Sequence, residues 1–235
     1  MPLFNHSVGP LSGRLPYQTL LHALSVAVAD DLCRQLPEPF LADQLIHSTG
    51  RPFIDVHDSP ADDGPAAIAG AALNWQPPLP EANLPFRFPE CFEVNVFQRS
   101  ERAQPSAAVL FVGPGNKDSA AERRAFASKV VSYLHDGVAL TLIDLVGTPG
   151  ANLHNEVMAL SGLRSVAPVV DTSALYAASY RPMLRDSKAF LKVWTAPFKV
   201  GDRLPTMPLR VVANVMVPID FERIYMQVCR ARRMI

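Results

Sequence analysis

Apolar residues along this chain switch between a helical and a strand-like period, and the switches mark its elements. Tyr17, Leu20, Leu21, Leu24, Val28 and Leu32 recur every three or four residues and form one apolar face. That spacing predicts a helix over Tyr17–Leu36, with Pro16 at its start and Pro37 just past its end. Phe40–His47 and Pro52–His57 read as short strands joined by a Ser48-Thr49-Gly50 turn, and Ser59–Gly64 as a polar loop. Ala66–Leu73 is ambiguous between helix and strand. Phe92, Val94 and Val96 alternate with Glu93 and Asn95, the period of an antiparallel strand.

The densest signal runs from Ala108 to Leu145. Ala107–Val112 is apolar at every position and reads as a central strand covered on both faces. It breaks at Gly113-Pro114-Gly115-Asn116-Lys117. Ser119-Ala120-Ala121-Glu122 then fits a capping box, and Phe126, Val130, Tyr133 and Leu134 line one helical face. Gly137 suits the left-handed position that ends a helix, and Val138–Val146 reads as a second buried strand. Strand, helix and strand in this order imply an α/β unit with parallel pairing. After a Gly147–Asn152 loop, strands are expected at Ala174–Arg181, Ala189–Phe198 and Leu209–Met216, followed by a helix over Phe221–Arg233 capped by Asp220. The expected architecture is a mixed β-sheet with flanking helices, in one domain over residues 1–235.

Composition narrows the class. Hydrophobic residues make up 49% of the 235 residues and charged residues 19%, so a sizeable core is expected. Lys and Arg together number 22, as do Asp and Glu, which disfavours a dedicated nucleic-acid binder. Cys33, Cys91 and Cys229 are odd in number and widely spaced, so neither a disulfide framework nor a zinc site is expected. No stretch approaches the roughly 20 apolar residues of a membrane span. The first residues lack the pattern of a signal peptide. A cytoplasmic location is the expectation. The 22 prolines against 12 glycines cluster between elements, most densely over Pro77–Pro89, an extended connector.

Several segments in order resemble the bacterial domain-of-unknown-function family 4058. That family shows a strand ending I-E-x-L-S-P-x-N-K, a helix, and then G-V-x-L-x-x-I-D-L. Here Asn116 and Lys117 end the turn, the helix carries Lys129 and Tyr133, and Gly137 to Leu145 reads GVALTLIDL. Leu204-Pro205-Thr206-Met207-Pro208-Leu209 and Val217-Pro218-Ile219-Asp220 match the family's closing segments, and Arg51-Pro52-Phe53-Ile54-Asp55-Val56 resembles its R-P-D-V segment, stretched by two residues. The family in turn looks like a relative of the restriction-endonuclease-like PD-(D/E)XK fold. That resemblance implies such a core here, elaborated by C-terminal strands. It also implies a site in which paired carboxylates hold Mg²⁺ and a lysine steadies developing charge.

Carried over residue by residue, the resemblance makes Asp55 and Lys129 candidate catalytic remnants and Asn116 and Lys117 candidate binding residues. The family's acid falls on Leu110. One carboxylate alone binds Mg²⁺ weakly. The chain is therefore expected to need no cofactor and to act as a catalytically degenerate binding or assembly subunit, with a protein partner or a second copy of itself. The alternative is a metal-dependent phosphodiesterase in which Glu93, Asp58 or Asp144 replaces the missing acid beside Asp55. Plainer roles compete at each position. Asp55 suits an edge-strand acid facing water or Arg51, Lys129 a solvated helix lysine, and Asn116 a turn residue. The Gly113–Lys117 turn suits a phosphate cradle less well than a structural turn, because the G-x-x-x-x-G-K-[ST] pattern is not met. The basic end, Arg230, Arg232 and Arg233, complements a helix dipole.

Overall fold

The computed structural model describes residues 3–4, 17–47, 90–100, 104–147, 150–164, 171, 175–212 and 214–234. The expected Pro52–His57 strand, the Pro77–Pro89 connector, Asp55 and Asp58 lie outside the described residues.

Six strands form one sheet in chain order: β1 (Phe40–His47), β2 (Cys91–Gln98), β3 (Ala107–Val112), β4 (Ala139–Asp144), β5 (Leu175–Arg185) and β6 (Lys188–Phe198). β3 and β4 pair in parallel, and every other neighbouring pair is antiparallel. A parallel pair needs a crossover, which here carries α2 (Ala120–His135). The Ser119 hydroxyl accepts a hydrogen bond from the Glu122 amide at 3.1 Å, one half of the expected capping box. Gly137 ends the crossover at φ +79°, a conformation open to glycine without strain.

Two layers cover the sheet. On one face, Val94, Val109, Phe111, Ile143 and Ala177 pack in one apolar cluster with α1 (Tyr17–Gln35), α4 (Phe221–Ala231) and the β7–β8 hairpin (Thr206–Val212 and Val215–Asp220). On the other, Leu110, Val112, Leu140, Leu142 and Ala178 pack with α2 and α3 (Leu153–Leu160). The fold is thus a mixed six-strand sheet flanked by four helices, with a second small sheet. All six residues of β3 are buried, as their unbroken apolar run requires.

The structure differs from the sequence expectation in two places. Leu209–Met216 is not one strand. The chain turns near Asn214 and returns as β8, which runs through Pro218. Two-stranded pairing leaves every residue on an outer edge, so a proline can sit in β8 where a central strand would exclude it. Helix α3 is absent from the sequence reading. It has only eight residues, and its start is fixed by the Asn152 side chain, which accepts from the Asn155 amide at 3.0 Å.

Candidate functional site

The polar groups of interest lie on the sheet face beneath α2 and α3. In β2, the alternation puts Phe92, Val94 and Val96 in the α1 layer, so Cys91, Glu93 and Asn95 face α2. Glu93 is fully buried and stands opposite Leu110 in the β2–β3 register. Glu93 is thus one strand over from Leu110, the position to which the resemblance assigns an acid. Lys129 of α2 reaches down to it, Nζ to Oε2 at 2.7 Å. One turn further along α2, the Tyr133 hydroxyl donates to Glu93 Oε1 at 3.2 Å, and Asn95 Nδ2 donates to the same oxygen at 3.0 Å. Lys129 Nζ also donates to Cys91 Sγ at 3.1 Å and lies 5.9 Å from the centre of the Tyr133 ring.

Burial and a shared negative charge set the protonation of this cluster. Burial, reinforced by Glu93, pushes the Cys91 thiol up to about 11 and the Tyr133 phenol up to about 12. Both stay protonated at neutral pH, so Cys91 is a poor nucleophile. Burial works against the Lys129 charge, but Glu93 outweighs it and holds the ammonium above its ordinary range. Lys129 is a cation fixed on an anion, and it has no proton to exchange near neutrality.

A second pair closes the turn after β3. Lys117 and Asp144 are 2% and 0% exposed, and Nζ meets Oδ2 at 2.7 Å in a charge contact without hydrogen-bond alignment. Lys117 Nζ donates to the Val146 carbonyl at 2.6 Å, and the Val146 amide donates to Asp144 Oδ1 at 3.0 Å. Burial raises the Asp144 carboxyl to about 6, with Lys117 opposing. Asp144 pairs with Tyr176 in the β4–β5 register. The Tyr176 hydroxyl accepts from the His154 amide at 2.9 Å, and His154 Nδ1 lies 2.7 Å from the Tyr180 hydroxyl. These groups extend one buried polar seam under α3.

The Gly113–Lys117 turn is sealed from within. Asn116 Oδ1 accepts from the Gly113 amide at 2.9 Å, and its Nδ2 donates to the Glu90 carbonyl at 2.8 Å. The Glu90 carboxylate lies across the turn and accepts from the Gly115 amide at 3.0 Å. A Cβ on Gly113 would clash with Glu90 Oε2, so any larger residue there would displace the Glu90 carboxylate. The position a phosphate would take at Gly115 holds the protein's own anion.

Glu93 and Asp144 flank β3 on opposite sides and are offset by two residues along it, since Glu93 pairs with Leu110 and Asp144 with Val112. Strand spacing and rise place their backbones about 12 Å apart, too far for one metal ion. Among the described residues, no group of three or more His, Cys, Asp or Glu side chains is placed to hold a metal. Glu93 Oε1 accepts from Tyr133 and Asn95, and Oε2 faces the Lys129 ammonium in a charge contact without hydrogen-bond alignment. Glu93 and Asp144 therefore do not form one shared Mg²⁺ site.

The structure thus brings Lys129 to Glu93 and Lys117 to Asp144, keeps Asn116 in the turn, and keeps the two pairs apart. Residues that sequence reasoning did not assign to the site are Cys91, Asn95, Tyr133, His154, Tyr176 and Tyr180. The spacing of Lys129 and Tyr133, four apart on one helix, was the available signal. No protein-family model, curated protein or solved structure significantly matches the chain. Among the described residues, no helix is long and apolar enough to cross a membrane.

Proposed function

We propose that this chain is a catalytically degenerate relative of the restriction-endonuclease-like fold and acts as a binding or assembly protein. One observation carries the reading. Each lysine that the family resemblance marks is already neutralised by a buried carboxylate, Lys129 by Glu93 and Lys117 by Asp144, both at 2.7 Å. A lysine held on an internal anion has little charge left for a phosphodiester. Asn116 is buried, and both of its side-chain polar atoms are already bonded, Oδ1 to Gly113 and Nδ2 to Glu90. A protein partner or a second copy of the chain is the partner class, and the balanced overall charge supports this over nucleic acid.

A metal-dependent phosphodiesterase is the second reading. It is favoured by the placement of Glu93 beside Leu110 with a lysine against it. The two readings part in one assay. Full-length protein is incubated with single- and double-stranded DNA and RNA in Mg²⁺ or Mn²⁺, and its melting temperature is followed with and without metal. The expected result is no cleavage and no metal-dependent shift. Cleavage that disappears in Asp55→Ala or Glu93→Gln overturns the first reading and establishes the second.

A further inference from the structure

On the opposite face of the sheet from the Glu93–Lys129 pair, two arginines lack counter-ions among the described residues. Arg181 lies on β5 among the residues that face the β7–β8 hairpin, as neighbouring Ala177 and Ser179 do. Arg210 lies on β7. The Nε atoms of both are shut off from water and have no hydrogen-bond partner, and neither guanidinium has a carboxylate partner among the described residues. Burial, together with the charge of Arg181, holds Arg210 below its ordinary range. A shielded guanidinium N–H without an acceptor is unfavourable, and two such groups within each other's field are more so.

The surroundings add charge and flat apolar surface. Arg181 pairs with Lys192 in the β5–β6 register, so the two side chains share a face. Lys192 is exposed and forms no ion pair among the described residues. Phe190 and Trp194 flank it on the same face of β6, 51% and 36% exposed. Trp194 is the diagonal neighbour of Arg181, with Cα atoms about 7 Å apart. Arg181 and Lys192 therefore stand beside two exposed aromatic rings, with Arg210 within the field of Arg181.

We propose that Arg181 and Arg210 form an oxyanion site for a phosphate monoester carried on a planar ring, with Lys192 as the third cation and Trp194 as the stacking face. Guanidinium forks match the oxygens of a phosphate, and both arginine residues are only partly buried. Cations on both sides of Arg181 favour a dianion over a singly charged carboxylate. The exposed indole offers a π face for a base. The site lies apart from both lysine–carboxylate pairs and does not depend on whether the chain cuts nucleic acid. Two sources share this chemistry, a free nucleotide and the 5′-phosphate end of a single strand.

Calorimetric titration of the full chain tests the site. Adenosine monophosphate is expected to bind saturably, inorganic phosphate to compete, and adenosine to show no binding. Arg181→Gln and Arg210→Gln should each weaken nucleotide binding tenfold or more, and Trp194→Ala should weaken the nucleotide but not inorganic phosphate. A 5′-phosphorylated oligonucleotide that binds more tightly than the mononucleotide identifies a strand end as the source, and weaker binding identifies the free nucleotide. Folding is controlled by melting temperature. Without ligand, Arg210→Gln should melt at or above the wild type, since a repulsion is removed, and phosphate should raise the melting temperature of the wild type alone. Absence of saturable binding of either phosphate probe, or full nucleotide affinity in both arginine variants, overturns the site. A lowered melting temperature of ligand-free Arg210→Gln overturns the view that this arginine is uncompensated.

Discussion

At the scale of single residues, the two lysine–carboxylate pairs differ in what happens when one partner is removed. Glu93 has no exposure, while the Lys129 side chain is 35% exposed. Removing the lysine strands a buried charge; removing the acid releases a lysine that can reach water. Lys129→Met is therefore expected to cost about 3–5 kcal/mol and Glu93→Gln about 1 kcal/mol, measured by urea denaturation. Equal losses would mean that Glu93 is not held by Lys129. Lys117 has no such escape, and its partner titrates. Burial lifts the Asp144 carboxyl from 3.8 to about 6 in the folded state, against the pull of Lys117. Between those values the folded protein keeps a proton that the unfolded chain has released. The resulting stability is present in full below the unfolded value and is lost as pH rises through the folded one. Lys117→Met removes the opposing cation and moves the folded value higher still. The variant should be less stable by about 3–5 kcal/mol near neutral pH, with the deficit narrowing as the pH is lowered toward the unfolded carboxyl value. A deficit that stays constant across that range would show that Asp144 does not carry the effect.

At the scale of elements, the turn after β3 is where local sequence and tertiary structure meet. Gly113 admits the Glu90 carboxylate, which accepts from the Gly115 amide and from Gln18 of α1 at 3.1 Å. Gly113→Ala should expel that carboxylate and cost about 1–3 kcal/mol. Glu90→Ala should cost about as much, and the double variant little more than either single one, because all three lose the same bonds. Additive losses in chemical denaturation would separate the glycine from the carboxylate. The elements themselves were legible wherever one period ran long enough. Tyr17–Gln35 carries six apolar positions on one face, and Ala107–Val112 has no polar residue at all. The C-terminal hairpin was not, since its turn lies inside an apolar run and only the pairing of Leu209 with Val217 distinguishes two strands from one. The site was half legible. Lys129, Lys117, Asn116, Glu93 and Asp144 could be named from the chain. Their pairing could not, because the antiparallel alternation of β2 does not reveal that its polar face is roofed by α2.

At the scale of the whole molecule, the sheet is a shared wall between two apolar layers, and its central strand belongs to both. Val109 and Phe111 of β3 face the α1 layer, while Ala108, Leu110 and Val112 face α2 and α3. Both cores draw side chains from that strand. Damage to one layer should therefore be felt by the other in a single unfolding transition. Leu24→Ala in α1 and Leu134→Ala in α2 each delete a buried side chain, on opposite sides of the sheet, and each is expected to cost about 2–5 kcal/mol. The side chains share no partner, so the losses should add in the double variant. Helix content by circular dichroism and tertiary packing by tryptophan fluorescence should still change at one midpoint. Two separated transitions in Leu134→Ala would mean that the layer carrying both lysine–carboxylate pairs unfolds on its own. The polar seam would then sit in a unit able to open while the α1 layer stays closed. One transition instead ties the neutralised lysines to the stability of the entire sheet, a structural role for both pairs.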